Sequence, residues 1–208
     1  MFRNSLFALS LCASATFAAP TIAALGDSLT AGYGLPADQG LVPQLQAWLA
    51  TQGSDVTLIN AGVSGDTTAG GLSRLDWTLT PEVDALIVAL GGNDVLRGLD
   101  PANSRANLEA ILATAKARHL PVLLVGIKAP GNYGPDYKAQ FDAIYPDLAS
   151  QYQTLLVPDF FTALADTDPA TVGSDMQPDG IHPNATGVAK IVQTLGPQVQ
   201  ELLTQIPQ

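Results

Sequence analysis

Short apolar runs recur along the chain and predict five β-strands. They are rich in alanine, valine, isoleucine and leucine, and most are continuously apolar. Continuous apolar character is expected of parallel strands that are covered on both faces of a sheet. The predicted strands are Thr21–Leu25, Val56–Asn60, Ala85–Leu90, Val122–Ile127 and Leu155–Val157.

Segments of helical length separate these runs. From Leu41, and again from Pro101, apolar residues recur at the spacing of a helix with one buried face. Two further helices are predicted over residues 135–152 and 186–206, and Pro197 is expected to kink or split the second of them. Strands that alternate with helices in one chain predict an α/β fold of three layers. The pattern alone does not give the order of the strands.

The N-terminus has the layout of a secretory signal. Arg3 precedes a short apolar core, small residues follow, and the stretch is too short to span a bilayer. Cleavage is expected after Ala18, because cleavage one residue later would leave Pro20 at the first mature position. We therefore expect a signal peptide over residues 1–18, a single domain over residues 19–208 and an exported protein. The alternatives are a buried N-terminal helix and a lipid anchor on Cys12, before which a leucine stands where a small residue would be expected.

Composition and charge indicate which kinds of binding partner are not expected. The formal net charge is −10, and the basic residues are scattered singly. This acidity argues against binding to nucleic acid and against electrostatic docking on anionic membranes. Cys12 is the only cysteine and lies in the predicted signal, so the mature chain would contain no disulfide and no reactive thiol.

Polar, glycine-rich loops follow the predicted strands. The first strand leads into Gly26-Asp27-Ser28, the second into residues 60–68 and the third into residues 91–98; residues 176–184 precede the last helix. Each loop could be an ordinary turn, because glycine, asparagine and aspartate are common turn formers. Reactive groups in open α/β sheets lie at the carboxyl ends of the strands, however. Four such loops, each with a different reactive residue type, therefore indicate one site.

The loop that contains Ser28 lacks the Gly-Lys-Ser/Thr ending of a phosphate-binding loop and the G-x-G-x-x-G of a dinucleotide site. A serine nucleophile instead needs a base and a group that orients the base. His119 ends a predicted amphipathic helix and is expected at the surface. His182 follows Asp179 by three residues, so the carboxylate could bind the imidazole Nδ1–H and leave Nε2 free to take a proton. A metal site is the rival use of these two residues, but no cluster of further ligands accompanies them.

Four motifs resemble the conserved blocks of the SGNH, or GDSL, hydrolases. They are GDSLTAGYG, SGDTTAGGLSRL, LGGNDVLRG and DGIHPN; they occur in the family's order and cover nearly the whole predicted domain. The resemblance is greatest to a bacterial exported branch of acyl-CoA thioesterase/lysophospholipases and arylesterases. The segment APGNYGPDYKAQFDAIYP also resembles that branch.

The resemblance implies a flavodoxin-like sandwich with a five-stranded parallel sheet in the order 2-1-3-4-5. It implies Ser28 as nucleophile, His182 as general base and later acid, and Asp179 as the residue that orients His182. The oxyanion hole would consist of the backbone N–H groups of Ser28 and Gly65 and the side-chain amide of Asn93. Glycine permits close backbone approach and asparagine offers a neutral donor, which suits this role. No cofactor or metal is expected.

Other polar residues in these loops are expected to stabilise the loops and not to take part in the reaction. Asp27 would oppose an oxyanion if it pointed inward, so we expect it to brace loop backbone, and we interpret Asp66 and Asp94 in the same way. Ser64 and Thr67 are alternative hydroxyl groups, but neither stands at the end of the first strand.

The sequence thus predicts an exported serine esterase that cleaves acyl esters, and also acyl thioesters, through an acyl-enzyme. A carbohydrate or peptidoglycan O-acetylesterase and a non-catalytic binding protein on the same scaffold are the alternatives. The loop from Lys128 to Lys138 is expected to border the acyl groove, with Pro130 and Tyr133 as candidate substrate contacts; an ordinary connection is the alternative. The expected partner is a small-molecule or lipid ester, bound by a monomer without stable membrane insertion.

Overall fold

The computed structural model describes residues 18–165 and 173–207. The predicted signal peptide, residues 1–18, lies outside the described residues except for Ala18, so its boundary stays a prediction. Within the described ranges, no helix combines the length and the apolar character needed to cross a bilayer.

Five parallel strands of the described chain form one sheet in the order β2-β1-β3-β4-β5, as the family resemblance implied. Their bounds are β1 Thr21–Gly26, β2 Thr57–Gly62, β3 Ala85–Ala89, β4 Val122–Val125 and β5 Leu155–Val157. Each predicted strand overlaps one of these. Residues 22–25 of β1 and all of β3 are buried, which explains why the strands read as continuous apolar runs.

Helices cover both faces of the sheet and complete the predicted three layers. Helix α2 packs against the C-terminal helix on one face, and α6 packs against α3, α7 and α8 on the other. The bounds are α1 Ser28–Ala31, α2 Leu41–Thr51, α3 Thr68–Ser73, α4 Leu75–Thr78, α5 Gly92–Leu96, α6 Pro101–Ala117, α7 Pro135–Asp142, α8 Ile144–Tyr152, α9 Thr162–Ala165 and the C-terminal helix Ala185–Thr204.

Proline has different effects on two of these helices. The single helix predicted over residues 135–152 is divided at Ala143 into α7 and α8. Pro146 has no N–H to donate to the carbonyl of Asp142, and its ring crowds that carbonyl, which accounts for the break. The C-terminal helix, in contrast, continues through Pro197 without being split.

Helix α6 has a capped N-terminus and ends shortly before His119. Asp100 caps the N-terminus by accepting a hydrogen bond from the Ala102 N–H at 2.9 Å, and Pro101 occupies the first turn. At the other end, His119 adopts a left-handed conformation with φ of 58° and is exposed. This histidine precedes β4 at the amino edge of the sheet, opposite to the edge where the predicted reactive loops begin.

Candidate active site

Three of the predicted reactive loops begin side by side. Gly26, the last residue of β1, pairs with Gly62 of β2 and with Ala89 of β3. The loops that follow these residues therefore leave the same carboxyl edge of the sheet, where β1 lies between β2 and β3. This is the place in an open α/β sheet where ligands bind.

Ser28 stands at the sharp turn from β1 into α1. Asp27 caps this helix, its Oδ1 accepting a hydrogen bond from the Leu29 N–H at 3.0 Å. A side chain on Gly26 would collide with Thr30, so the tight turn requires glycine. The serine hydroxyl is thereby presented at the start of a short helix.

The structure brings Ser28, His182 and Asp179 into one hydrogen-bonded chain. The Nε2 atom of His182 lies 2.9 Å from Ser28 Oγ, and its Nδ1 lies 2.7 Å from Asp179 Oδ2. An ionised carboxylate only accepts hydrogen bonds, so Nδ1 carries the proton and Nε2 is free to accept one from the serine hydroxyl.

The turn between Asp179 and His182 keeps the carboxylate ionised. Its Oδ1 accepts hydrogen bonds from the backbone N–H of His182 at 3.0 Å and of Ile181 at 2.9 Å. The bond from the His182 backbone, and after it the bonds from the His182 ring and from Ile181, lower the pKa of Asp179 to about 2. The carboxylate therefore holds the imidazole ring in a fixed orientation at any ordinary pH.

Further contacts hold this turn against the Ser28 loop. Gln177 donates its backbone N–H to the His182 carbonyl at 2.8 Å, and its Nε2 donates to the Tyr33 carbonyl at 2.8 Å. The Tyr33 ring lies over the imidazole with a centroid distance of 4.7 Å. Asn184 caps the C-terminal helix that begins directly after the turn. The histidine is thus fixed from several sides.

The three expected oxyanion donors differ in position. Ser28 is the first residue of α1, so its N–H has no partner within the helix. Asn93, in α5, donates from Nδ2 to the Asp66 carbonyl at 3.0 Å and lies 3.5 Å from Asp27 Oδ2. Gly65 has a φ of 86° and comes directly before Asp66. Ser28 and Asn93 line the cleft described below, whereas Gly65 is not among its described lining residues.

Asp27 and Asp94 accept hydrogen bonds from loop backbone, as expected, whereas the Asp66 carboxylate pairs with a side chain. Asp94 is buried and accepts hydrogen bonds from the Thr68 N–H at 2.8 Å, the Thr68 hydroxyl at 2.6 Å and the Ser104 hydroxyl at 2.8 Å. Asp66 pairs with Arg74. Burial raises the pKa of Asp27 to about 6, and the hydrogen bond from Leu29 offsets part of that rise.

A cleft of about 170 Å³ opens beside Ser28 and His182. Its walls are mainly apolar and come from the short helices α1 and α5 and from loops: Leu29, Val95, Leu96, Ile127, Phe161 and Ile181. Sequence reasoning did not single out these residues. Ile181 stands inside the Asp179–His182 motif, and Phe161 follows β5 at the same sheet edge, so their places in the chain were the available signal.

The two predicted substrate contacts fall in different places. Pro130 lines the cleft. Tyr133 is not among the described lining residues; its hydroxyl lies 3.3 Å from the Leu96 carbonyl, and its ring packs on Tyr137 at 4.9 Å between centroids. Since Leu96 does line the cleft, Tyr133 contacts a residue of the wall.

Comparison with known proteins shows the family of this chain. Residues 24–190 match the GDSL-like Lipase/Acylhydrolase family. The chain is 43% identical to Esterase TesA of Pseudomonas aeruginosa over 187 residues, which cover 89% of this chain and 90% of the relative. It is 39% identical to Thioesterase 1/protease 1/lysophospholipase L1 of Escherichia coli over 191 residues, covering 89% and 86%.

A solved structure gives the same result. The crystal structure of TesA superimposes with a TM-score of 0.79 at 40% identity and covers 88% of this chain and 99% of that one. The chain therefore belongs to the GDSL-like lipase/acylhydrolase family, and it is an enzyme of the SGNH hydrolase type.

Proposed function

We propose that this enzyme hydrolyses acyl esters with Ser28 as nucleophile, His182 as general base and acid, and Asp179 as the residue that orients His182. The observation that supports this proposal is the continuous hydrogen-bonded chain from Ser28 to Asp179. His182 Nε2 lies 2.9 Å from Ser28 Oγ, and His182 Nδ1 lies 2.7 Å from Asp179 Oδ2. A serine is a weak nucleophile by itself, and an adjacent, oriented base is what activates it.

The reaction follows from the positions of these three residues. Ser28 Oγ attacks the acyl carbonyl carbon while its proton passes to His182 Nε2. When the tetrahedral intermediate collapses, the bond to the alcohol breaks and His182 returns the proton to the departing oxygen. A water molecule then attacks the acyl-enzyme in the same way, and the carboxylic acid and free Ser28 are released. Throughout, the ionised Asp179 stabilises the imidazolium that forms.

Three donors are proposed to stabilise the oxyanion of each tetrahedral intermediate. They are the backbone N–H groups of Ser28 and Gly65 and the Asn93 amide. The long 3.5 Å approach of Asn93 Nδ2 to Asp27 leaves this N–H only weakly bound before substrate arrives. Hydrogen bonds at catalytic sites commonly tighten only when the charge they serve develops.

The apolar character of the cleft supports the proposal that it binds the acyl chain of the substrate. Its walls are mainly apolar, and its volume of about 170 Å³ is small for a ligand pocket. The names of the relatives, which include an Arylesterase of Vibrio mimicus as well as the thioesterase/lysophospholipase, support ester and thioester substrates. We therefore propose an enzyme of the arylesterase/lysophospholipase type that also accepts acyl thioesters.

A substrate series tests this proposal. The quantity to measure is kcat/KM for p-nitrophenyl esters from acetyl to palmitoyl, with acyl-CoA and acetylated xylan assayed in parallel. The proposal is supported if kcat/KM is higher for acyl chains longer than acetyl and if the preferred leaving group is an aryl alcohol or a thiol. Deacetylation of xylan with higher kcat/KM than any aryl ester would assign the enzyme to the O-acetylesterases.

Export is a separate proposal that rests on the N-terminal sequence. The mature enzyme would begin at Ala19 and act as a monomer outside the cytoplasm. Intact mass of the protein from a fractionated expression host measures the cleavage site, and size-exclusion chromatography measures the oligomeric state. A full-length, cytoplasmic product would contradict the export.

A further inference from the structure

The guanidinium group of Arg74 connects three segments next to the site. This residue lies between α3 and α4, and its side chain is 21% exposed. Its Nε donates to Asp66 Oδ2 at 2.6 Å, its Nη1 to the Ala61 carbonyl at 2.7 Å and its Nη2 to the Gly26 carbonyl at 2.8 Å. All three nitrogen atoms of the group are thus used, each toward a different partner.

Two of these partners are at the carboxyl edge of the sheet. Gly26 ends β1 and immediately precedes Asp27 and the proposed nucleophile. Ala61 is the penultimate residue of β2, from which the loop to Gly65 departs. The carbonyl groups that Arg74 binds therefore belong to the two strands that carry the first and second loops of the site.

The third partner leads to the third loop. Asp66 follows Gly65, and its backbone carbonyl accepts the Asn93 Nδ2 hydrogen bond at 3.0 Å. The Asp66 carboxylate lies close to Gly70, where a Cβ atom would come within 2.6 Å of its Oδ1. A displacement of Arg74 would therefore also displace Asp66 and, through the Asp66 carbonyl, the amide of Asn93.

We propose that Arg74 is a positioning residue that holds the proposed oxyanion donors in one arrangement. It does so without contact to the substrate, since it is not among the described residues that line the cleft. The inference rests on the proposed function, because it takes Ser28, Gly65 and Asn93 as the donors. Oxyanion stabilisation depends on donors that are in place before charge develops, so small displacements lower kcat.

The chemistry of this contact requires arginine. A guanidinium group is planar and offers N–H donors in fixed, diverging directions, whereas a lysine has a single nitrogen atom at its end. The variant Arg74→Lys keeps the positive charge near Asp66, but its donors all lie on one nitrogen atom and cannot occupy the three positions of Nε, Nη1 and Nη2. It therefore separates the geometric role of the residue from its charge.

The chain offers a matched control. Arg118 also donates to a backbone carbonyl and a carboxylate, with Nη1 at 2.7 Å from the Leu79 carbonyl and Nη2 at 2.5 Å from Asp76 Oδ1. It lies at the C-terminal end of α6, away from the cleft. Arg118→Lys removes similar contacts without touching the three loops.

The test is a double-mutant cycle measured per active site. Arg74→Lys, Asn93→Ala, the double variant and Arg118→Lys are titrated with a fluorophosphonate so that only competent enzyme is counted, and kcat and KM are measured with p-nitrophenyl butyrate. We expect Arg74→Lys to lower kcat roughly 10- to 100-fold with little change in KM. Because Arg74 acts through the donors, the double variant should lose little more than Asn93→Ala alone. Arg118→Lys should keep the wild-type kcat.

Several results would overturn the inference. They are a kcat of Arg74→Lys equal to that of Arg118→Lys, a loss that appears in KM, or losses that multiply in the double variant. If Asn93→Ala itself leaves kcat unchanged, the proposed oxyanion hole fails instead, and the two failures are distinguishable. Should Arg74→Lys not fold, Asp66→Ala removes the acceptor of the Arg74 Nε hydrogen bond and leaves Arg74 in place, and its kcat and KM decide the question by the same criteria.

Discussion

The imidazole of His182 lies 2.9 Å from the hydroxyl of Ser28 although 154 positions separate the two residues in the chain. The sheet edge and the turn before the C-terminal helix create this contact. Gln177 connects that turn to the loop of Ser28 through the Tyr33 carbonyl, at 2.8 Å. The proposed catalytic arrangement is therefore a property of the whole fold.

Asp179→Asn is expected to lower kcat on the order of 10⁴-fold, as in serine proteases. Asparagine keeps the size and can still accept the backbone N–H groups with its oxygen. Its amide would then face Nδ1 and favour the tautomer in which Nε2 carries the proton and cannot act as base. Steady-state kinetics with p-nitrophenyl butyrate measure the loss. Asp55→Asn, at an exposed position away from the site, is the control and should retain full activity.

Asn93→Ala is expected to lower kcat by about 10²–10³-fold and to change KM much less, because the amide serves charge that exists only in the transition state. Asn93→Asp should be worse than alanine, since it places a carboxylate against the oxyanion. Both parameters are measured with the same aryl ester. A loss seen mainly as a higher KM would make Asn93 a binding residue and leave the hole without one member.

The free energy of unfolding should depend on pH because of Asp27, whose side chain is buried and whose pKa is raised to about 6. A carboxyl group with a higher pKa in the folded than in the unfolded state stabilises the fold fully below the unfolded value of 3.8. That contribution is lost as the pH rises through about 6. Between pH 4 and pH 7 the free energy of unfolding should therefore fall relative to Asp27→Asn, by up to about 3 kcal/mol.

Urea unfolding of the wild type and of Asp27→Asn at pH 4, 5, 6 and 7 measures this difference. Comparison of the two proteins at each pH removes the contributions of all other titrating groups, which are common to both. A difference that stays constant over this range would show that Asp27 titrates in the folded protein as it does in the unfolded chain.

The cleft wall should set the preference for acyl length. Phe161→Ala is expected to lower kcat/KM several-fold for hexanoyl and longer esters and to spare the acetyl ester, since each buried CH₂ contributes about 0.8 kcal/mol. Tyr133→Ala, which removes a residue behind Leu96, should have a smaller effect on the same series. Equal losses for all chain lengths in Phe161→Ala would mean that this residue supports the site and does not contact the acyl chain.

The fold class and the candidate triad could both be predicted from the sequence, but they were predicted from different kinds of signal. Periodicity predicted the strands and most helices because burial on one or two faces leaves a local pattern. The order of the strands came only from the resemblance to the SGNH hydrolases. The Asp179–His182 pair was readable because both residues lie within one turn, whereas its contact with Ser28 spans most of the chain.

Other features were not predicted from the sequence. Arg74 lies within the motif SGDTTAGGLSRL, but the motif does not show its three partners, which lie 8, 13 and 48 positions away. The division between α7 and α8 depends on Pro146, which would be tolerated in the first turn of a helix but not further inside it. Tyr133 was expected to line the groove because its loop follows β4; the loop does border the cleft, but the ring turns toward Gly98 and Tyr137.

Covalent labelling of Ser28 tests the proposed mechanism most directly. The enzyme is treated with a fluorophosphonate, digested, and mapped by mass spectrometry, with Ser28→Ala and Ser64→Ala treated in parallel. We predict one adduct per chain, located on Ser28, loss of esterase activity in proportion to labelling, and no adduct in Ser28→Ala. An adduct on another residue, or an esterase that keeps its activity in Ser28→Ala, would contradict the assignment of the nucleophile.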